Sequence, residues 1–380
     1  MTGPLDGVRV VELAGLGPAP YACMLLAEAG ADVVRIDRPG AAGPGPPGWH
    51  WDLLARSRPS VTVDLKHPEG VALVLHLVEK ADVLVEGFRP GVVERLGIGP
   101  VPCLARNPRL VYGRMTGWGQ DGPMAARAGH DIDYIALSGS LWPLGRKGER
   151  PVPPMNLLAD FGGGGMLLAF GVTSALVETG RSGQGQVVDA AMTDGTASML
   201  TFMFAFHRAG RWKEERGVNI FDSGAHFYQV YETADGGYFA VGAVEPKFYA
   251  RLVDALGLGD EDLPDQMDQD RWPAMKRRFA DVFITRTRDE WAAVFDGFDA
   301  CGVPVLSPFE AHLHPHNRAR GTYVEIDGVV QPGPVPRFSR TPSAVGALPS
   351  PPGADTDEAL RAWGLSGPEV AALRESGALG

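Results

Sequence analysis

Two short segments of the chain carry side chains that could perform acid–base chemistry together. His130 follows Gly129 in the first segment, and Asp160 in the second precedes a run of glycines at residues 162–165. An imidazole has an ordinary pKa near ~6.5, so it can accept a proton and return it close to neutral pH. An imidazole and a carboxylate on opposite sides of one carbon could remove a proton from one face and return it to the other. An enzyme that works in this way needs no cofactor for the proton transfer.

Both residues also have simpler structural interpretations. A histidine in a turn can be held by hydrogen bonds alone, and an aspartate near a helix start is an ordinary cap. The glycines after Asp160 favour a site somewhat, because the missing side chains would let a bulky ligand approach the backbone. The residues alone therefore leave the structural and the catalytic interpretation open for each.

A helix is predicted to begin next to His130. Asp131 is a residue type that is favoured at the N-cap, and residues 132–137 follow at helical spacing. The first amides of a helix have no intrahelical partner and favour an anion. They would stabilise the oxyanion of an enolate, the species that forms when a proton leaves the carbon beside a thioester.

Other charged residues could contribute to a binding site. Glu245 lies just after a predicted hairpin strand and before a helix that begins at Pro246, where an exposed capping glutamate is the simple interpretation. Individually, the basic residues at strand ends are expected to be solvated, but together they could hold the phosphates of coenzyme A. These strand-end residues are Arg38, Lys66, Arg89 and Arg95. The histidines at 312, 314 and 316 lie among prolines without a suitably spaced carboxylate, so no metal is expected.

The elements that must position these residues alternate between strand and helix. Buried strands are predicted at residues 8–13, 32–36, 61–65, 83–86 and 110–114, with helices at 20–29 and from Pro68 onwards. Such alternation predicts an α/β fold with a doubly wound, mainly parallel sheet, whose ligand binds at the carboxyl ends of the strands. The first strand-to-helix turn, residues 15–20, begins like a dinucleotide fingerprint. Pro20 replaces its third glycine, which argues against nicotinamide or flavin.

The chain is predicted to form two domains. A large α/β domain that binds coenzyme A is followed by a smaller α+β domain, which begins with a hairpin at residues 228–233 and 238–242. The predicted boundaries are 1–190 plus 325–380 for the large domain, 191–227 for a linker helix and loop, 228–310 for the small domain and 311–324 for a return linker.

Composition excludes several classes of function. The net charge of −11 argues against nucleic-acid binding. No signal peptide is evident, and no run approaches the ~20 apolar residues of a membrane span, so no membrane partner is expected. Three cysteines at distant positions follow no metal-ligand spacing and indicate reduced thiols. The expected protein is soluble and cytoplasmic.

Along essentially its whole length the chain resembles the CoA-transferase family III, also called the CaiB–BaiF family. The resemblance is carried by residues 7–13, 31–39, 86–91, 129–131, 160–164 and 242–245. It is greater to the racemase branch of that family, and it implies interconversion of (2R)- and (2S)-2-methylacyl-CoA by 1,1-proton transfer through an enolate. It also implies an intertwined homodimer with an active site shared between subunits. The thioester is the substrate, so no metal or nucleotide redox cofactor is implied.

The resemblance assigns roles to particular residues. It implies that His130 and Asp160 are the two acid–base groups and that the amide of Asp131 faces the thioester oxygen. It further implies that Glu245 pairs with the histidine across the subunit boundary. The implied contacts with coenzyme A are Arg38, Val63, Asp64, Leu65, Lys66, Gly87, Phe88, Arg89, Arg95, Gly129, Ile132, Asp133 and Tyr134.

Two alternatives stand beside the racemase. The transferase branch uses the aspartate that matches Asp160 as a nucleophile, which passes through acyl and CoA esters. Transferases generally lack a histidine at the position of His130, so His130 and Glu245 favour the racemase. A protein that only binds acyl-CoA is the third class, and the sequence does not identify the acyl chain.

Overall fold

The computed structural model describes residues 3–40 and 52–380. The chain forms two compact units. The first contains Met1–Ser138, Met155–Met199 and Ala319–Gly380, and the second contains Gly139–Pro154 and Leu200–Arg318.

A six-stranded parallel sheet forms the centre of the first unit. Its strands are β1 (Arg9–Leu13), β2 (Asp32–Asp37), β3 (Ser60–Thr62), β4 (Val83–Glu86), β5 (Val111–Thr116) and β6 (Gln186–Ala191). They are arranged in the order β3-β2-β1-β4-β5-β6, so the order reverses between β1 and β4. This arrangement confirms the predicted α/β fold with a doubly wound sheet.

Helices connect the strands and cover the sheet. Those of the first unit are α1 (Pro18–Glu28), α2 (Pro68–Lys80), α3 (Val92–Leu96), α4 (Pro100–Arg106), α5 (Asp131–Ser138), a π-helix (Leu157–Met166), α6 (Leu167–Ser182), α7 (Met192–Met199), α13 (Thr356–Ala362) and α14 (Gly367–Glu375). The core contains apolar residues of the strands and α2 together with Leu360 and Trp363 near the C-terminus. Strands β1 to β5 are almost entirely buried, as expected for a parallel sheet that helices cover on both faces.

The C-terminal segment belongs to this unit. Ser366 and Glu369 form the capping box that begins α14. The last residues then return to the sheet, where Val63 pairs with Leu379. β3 ends at Thr62 rather than at the predicted residue 65, because a turn closed by the hydrogen bond from the His67 amide to the Asp64 carbonyl at 3.0 Å follows Val63.

One long helix of the first unit has two parts. The π-helix and α6 run continuously over Leu157–Ser182, with a mean hydropathy of 1.3 in its most apolar window, enough in length and composition to cross a membrane. The expectation that no run of the chain approaches a membrane span did not anticipate this helix. In the structure the helix lies against the sheet, because Gly113 of β5 leaves room for Leu168 and Val172. Its apolar composition is therefore that of a crossover helix.

The second unit is an α+β structure with an aromatic core. Its antiparallel sheet contains β7 (Tyr228–Glu232), β8 (Tyr238–Gly242) and β9 (Gly302–Pro304). Its helices are α8 (Thr201–Arg208), α9 (Pro246–Ala255), α10 (Trp272–Phe283) and α11 (Arg288–Phe295). The next helix, α12 (Pro315–Arg320), contains the boundary between the two units in the sequence. It is followed by a hairpin of the first unit, β10 (Tyr323–Ile326) and β11 (Val329–Pro332). The predicted hairpin of β7 and β8 is present.

The unit boundaries differ from the predicted ones in two places. Residues 139–154, predicted in the large domain, belong to the second unit, where Arg216 lies over the Trp142 ring and donates to its carbonyl at 2.6 Å. The predicted linker 191–227 divides between the units and is packed, since the Asp222 carboxylate accepts from the amides of Gly217 and Asn219. The first difference depends on a contact between residues that are distant in the sequence, whereas the hydrogen bonds of Asp222 are local.

Candidate active site

A pocket of about 460 Å³ lies at the carboxyl ends of β1, β4 and β5. The ends of these strands and the segments that follow them line it with residues 16–19, 87–90 and 115–118. The pocket is therefore at the point where the strand order reverses, which is where doubly wound sheets bind ligands. Its volume lies within the range of roughly 300–1,000 Å³ that is usual for small-molecule sites.

His130 and Asp160 both line this pocket. The chain thus brings together the two residues that the sequence analysis proposed as acid–base partners. The positive charge of His130 also acts on Asp160, where it lowers the pKa of the carboxyl against the larger effect of burial. An imidazole and a carboxylate that face one cavity can act as a pair of proton carriers.

The start of α5 fixes the backbone of His130. The Asp133 carboxylate accepts a hydrogen bond from the His130 amide at 2.9 Å, and the Asp133 amide donates to the His130 carbonyl at 2.8 Å. His130 itself precedes the first helical residue, so the prediction that Asp131 is the N-cap is wrong. The side chain that completes this helix start belongs to Asp133, two residues further along.

Asp131 instead holds a different helix. It is 4% exposed, and its Oδ2 accepts hydrogen bonds from the amides of Ala159 at 2.7 Å and Asp160 at 2.9 Å. Its carboxylate thereby satisfies two amides in the first turn of the π-helix. In the described residues, the amides of Asp131 and Ile132 donate to no acceptor, so they remain available for an anion.

The Asp160 carboxylate is not a cap. Its Oδ2 accepts from Asn156 Nδ2 at 2.9 Å, and a methyl group at Gly17 would lie 3.4 Å from the same oxygen. Burial raises the pKa of Asp160, and the negative charge of Asp131 raises it further, while the hydrogen bond from Asn156 and the charge of His130 lower it. A carboxyl group that is partly withdrawn from water in a cleft is a common feature of acid–base sites.

The glycines after Asp160 serve packing rather than ligand approach. At Gly163 a Cβ would lie 2.8 Å from the Thr196 amide nitrogen of α7, and at Gly165 it would lie 2.8 Å from the Pro18 carbonyl oxygen of α1. Gly163, Gly164 and Gly165 are buried. The interpretation that they expose the backbone to a ligand is therefore wrong for these three, because their missing side chains admit neighbouring helices.

An aromatic pair forms another part of the pocket wall. The Trp118 and Tyr134 rings meet edge to face at 4.7 Å, and the Tyr134 hydroxyl donates to the Gly129 carbonyl at 2.5 Å. Burial raises the pKa of Tyr134 to about 12, with a contribution from the negative charge of Asp160. Tyr134 therefore stays neutral near physiological pH. A Cβ at Gly117 or Gly129 would overlap its ring, so both positions require a minimal side chain.

The predicted coenzyme A contacts divide into two groups. Gly87, Phe88, Arg89, Gly129 and Tyr134 line the pocket. The others are outside its lining: Arg38, Val63, Asp64, Leu65, Lys66, Arg95, Ile132 and Asp133. The Val63 side chain is fully buried in the core, whereas Arg38, Lys66 and Arg95 are exposed.

Several lining residues were not predicted from the sequence. Residues 16–19 line the pocket at the turn whose proline-containing sequence argued against a dinucleotide, and Arg127 and Met192 also line it. The position of the turn after the first strand was a usable signal for residues 16–19. Arg127 and Met192 carried no local signal, since only the fold brings them to the pocket.

Glu245 belongs to the second unit. It is exposed and precedes the first residue of α9, and its side chain makes no capping hydrogen bond. Its proposed pairing with a histidine of another subunit stays a prediction.

Comparison with known proteins places the chain in a family. The model of the CoA-transferase family III matches residues 5–356. An alpha-methylacyl-CoA racemase of Mus musculus is 49% identical over 97% of this chain and 96% of its own length, and one of Homo sapiens is 46% identical over 96% and 95%. A CAIB/BAIF family protein from Brucella suis, 26% identical, has a similar structure with a TM-score of 0.83 over 95% of this chain and 99% of its own. The chain belongs to the CoA-transferase family III.

Proposed function

We propose that this chain is a racemase that interconverts (2R)- and (2S)-2-methylacyl-CoA thioesters. The observation that carries the proposal is that His130 and Asp160 line one pocket at the switch point of the sheet. The two racemases to which the chain is 49% and 46% identical support the choice of reaction.

The reaction is a 1,1-proton transfer. One of the two groups, His130 or Asp160, removes the proton from C2, and the electron pair of that bond moves onto the thioester oxygen to form an enolate. The other group then donates a proton to the opposite face of C2. The raised pKa of Asp160 supports this role. A carboxylate whose pKa lies nearer to neutral pH is a better proton acceptor than an ordinary one.

The start of α5 is suited to the enolate. The amides of Asp131 and Ile132 have no acceptor among the described residues, and the positive end of a helix favours a developing oxyanion. Arg89 and Arg127 line the same pocket and would bind phosphate oxygens of coenzyme A.

The proposal includes a homodimer and no cofactor. In this arrangement Glu245 of a second copy pairs with His130, orients the ring and stabilises its charged form. The thioester carbonyl is itself the electron sink, so neither a metal nor a redox group has a step to perform.

The test is to incubate a single 2-methylacyl-CoA epimer in deuterated water. Loss of optical purity with deuterium at C2 is the expected result. Absence of exchange, together with transfer of coenzyme A to an added carboxylic acid, would instead identify a transferase. Binding without either reaction would identify an acyl-CoA-binding protein.

A further inference from the structure

The backbone that leads to Glu245 is held by hydrogen bonds from several parts of the second unit. The Gly242 amide donates to the Cys301 carbonyl at 2.8 Å, and the Ala243 amide donates to the Phe227 carbonyl at 2.9 Å. The Glu245 side chain itself is exposed and makes no capping hydrogen bond. The segment therefore combines a fixed backbone with a carboxylate that can meet a partner.

One buried side chain binds two carbonyls of this segment. Gln266, in the connection between α9 and α10, donates from Nε2 to the Ala243 carbonyl at 3.0 Å and to the Val244 carbonyl at 2.9 Å. These are the carbonyls directly before Glu245, and the Gln266 residue is only 9% exposed. We propose that Gln266 is a positioning residue for Glu245, an inference that rests on the role of Glu245 in the racemase function proposed above.

The aromatic core of the second unit holds Gln266 in turn. Trp272 Nε1 donates to the Gln266 carbonyl at 2.8 Å, and the Trp272 ring meets the Phe227 ring edge to face at 5.8 Å. Phe227 accepts the hydrogen bond from the Ala243 amide. The contacts thus form a closed circuit from Ala243 through Phe227, Trp272 and Gln266 back to Ala243. Ala243, Phe227 and Trp272 are at most 2% exposed, so the circuit lies out of reach of water.

This circuit matters for a glutamate that must meet a group on another subunit. A glutamate side chain has several rotatable bonds, so its carboxylate reaches a defined position only if the backbone beneath it is fixed. Without the Gln266 donors, the carbonyls of Ala243 and Val244 lose their hydrogen bonds, and the chain can turn them towards other donors. Because a displacement near 1 Å can cost ~100-fold in rate, a small movement of Glu245 suffices to slow the reaction.

A double-mutant cycle tests whether Gln266 acts through Glu245. Gln266→Met keeps the length of the side chain and removes its donors, while Glu245→Gln keeps the size and removes the charge. The two single variants and the double variant together measure the coupling between the residues. Gln229→Met is the matched control, because Gln229 Nε2 also donates to a backbone carbonyl of the same unit, that of Ser223, at 3.1 Å.

The assay is deuterium exchange at C2 of one 2-methylacyl-CoA epimer, analysed as separate kcat and KM values. Gln266→Met should lower kcat by roughly 10-fold, and by no more than Glu245→Gln does. Its KM should stay unchanged, since neither residue lines the pocket. In the Glu245→Gln background the same substitution should change kcat by less than about 2-fold, because no carboxylate remains to be positioned. Gln229→Met should keep the wild-type kcat.

The outcomes separate this inference from the function beneath it. A wild-type kcat in Gln266→Met, or an equal loss in both backgrounds, would overturn the positioning role. A Glu245→Gln variant as fast as the wild type would overturn it too, although exchange by the wild type would leave the racemase standing. A wild type that exchanges no deuterium would refute the proposed function, and the positioning role with it.

A second variant covers the case in which Gln266→Met does not fold. Gln266→Asn retains the amide but is shorter by one methylene group, so it cannot reach the carbonyls of both Ala243 and Val244. It enters the same cycle with the same expected loss of kcat. An equal loss with and without the Glu245 carboxylate would again refute the inference.

Discussion

Replacing Gly163 with alanine tests whether the glycines beside Asp160 exist for packing. A Cβ at this position would lie 2.7 Å from Thr196 Cγ2 and 2.8 Å from the Thr196 amide nitrogen. Thr196 is fully buried, and a backbone atom cannot rotate away, so either α7 or the π-helix must move. Gly180 is the matched control in the same continuous helix, since a Cβ there would meet no atom within 4 Å.

The expected magnitudes follow from these surroundings. Extra volume in a packed site typically costs about 1–3 kcal/mol. Alanine returns up to about 1 kcal/mol through its higher helix propensity, so Gly163→Ala should lose about 1–2 kcal/mol net. Gly180→Ala pays no steric cost and should gain up to about 1 kcal/mol. The two variants should then differ by about 1–3 kcal/mol, which corresponds to roughly 2–12 °C in Tm for a unit of this size.

Thermal unfolding and C2 exchange provide the two measurements. Gly163→Ala should unfold at a lower temperature and also exchange more slowly, because the π-helix that shifts carries Asp160. A displacement near 1 Å can cost ~100-fold in rate. Gly180→Ala should keep wild-type exchange. If Gly163→Ala were as stable as the wild type and lost only its affinity for the thioester, the glycine would serve ligand approach and the packing argument would be wrong.

Three further predictions follow from other contacts. His130→Ala and Asp160→Ala should each abolish C2 exchange but keep coenzyme A binding, and measurable exchange in either variant would remove that residue from the pair. Burial lowers the pKa of His226 to about 4 from an ordinary value of 6.5. The unfolded chain therefore takes up the proton first, and stability falls as pH decreases from about 6.5 to about 4. In urea unfolding, His226→Gln should show a weaker fall in stability over that pH range. Glu86→Ala should lower stability in urea unfolding by at most about 3–5 kcal/mol, because it removes the buried carboxylate that accepts from Arg114 at 2.8 Å and leaves that guanidinium with Glu94 as its ionic partner. An unchanged midpoint would contradict this.

The sequence predicts the elements of the sheet well because their signal is local. β4 occupies the predicted residues 83–86, and β1 and β2 differ from the prediction only by one residue at one end. Apolar runs between helical patterns suffice to identify strands that are covered on both faces. The predicted end of β3 is wrong, because a turn at residues 64–67 replaces the last residues of the predicted strand.

The sequence predicted several residues that line the pocket, but it did not predict which neighbour each side chain contacts. His130, Asp160, Arg89 and Tyr134 all line the pocket, since the carboxyl ends of strands and the helix starts were correctly placed. The roles depended on which neighbour each side chain reaches. The predicted cap was Asp131, but Asp133 completes the helix start.

The exchange of capping roles explains why an aspartate is available for chemistry at the π-helix. An aspartate near a helix start ordinarily uses its carboxylate on the first amides, which would hold its oxygens against the helix. Here the amides of Ala159 and Asp160 bind the carboxylate of Asp131, supplied by a segment distant in the sequence. The Asp160 carboxylate therefore does not cap the helix and lines the pocket, where Asn156 is its hydrogen-bond donor among the described residues. Locally the two aspartates have the same signature, so only the tertiary structure decides which one is the cap and which one faces the substrate.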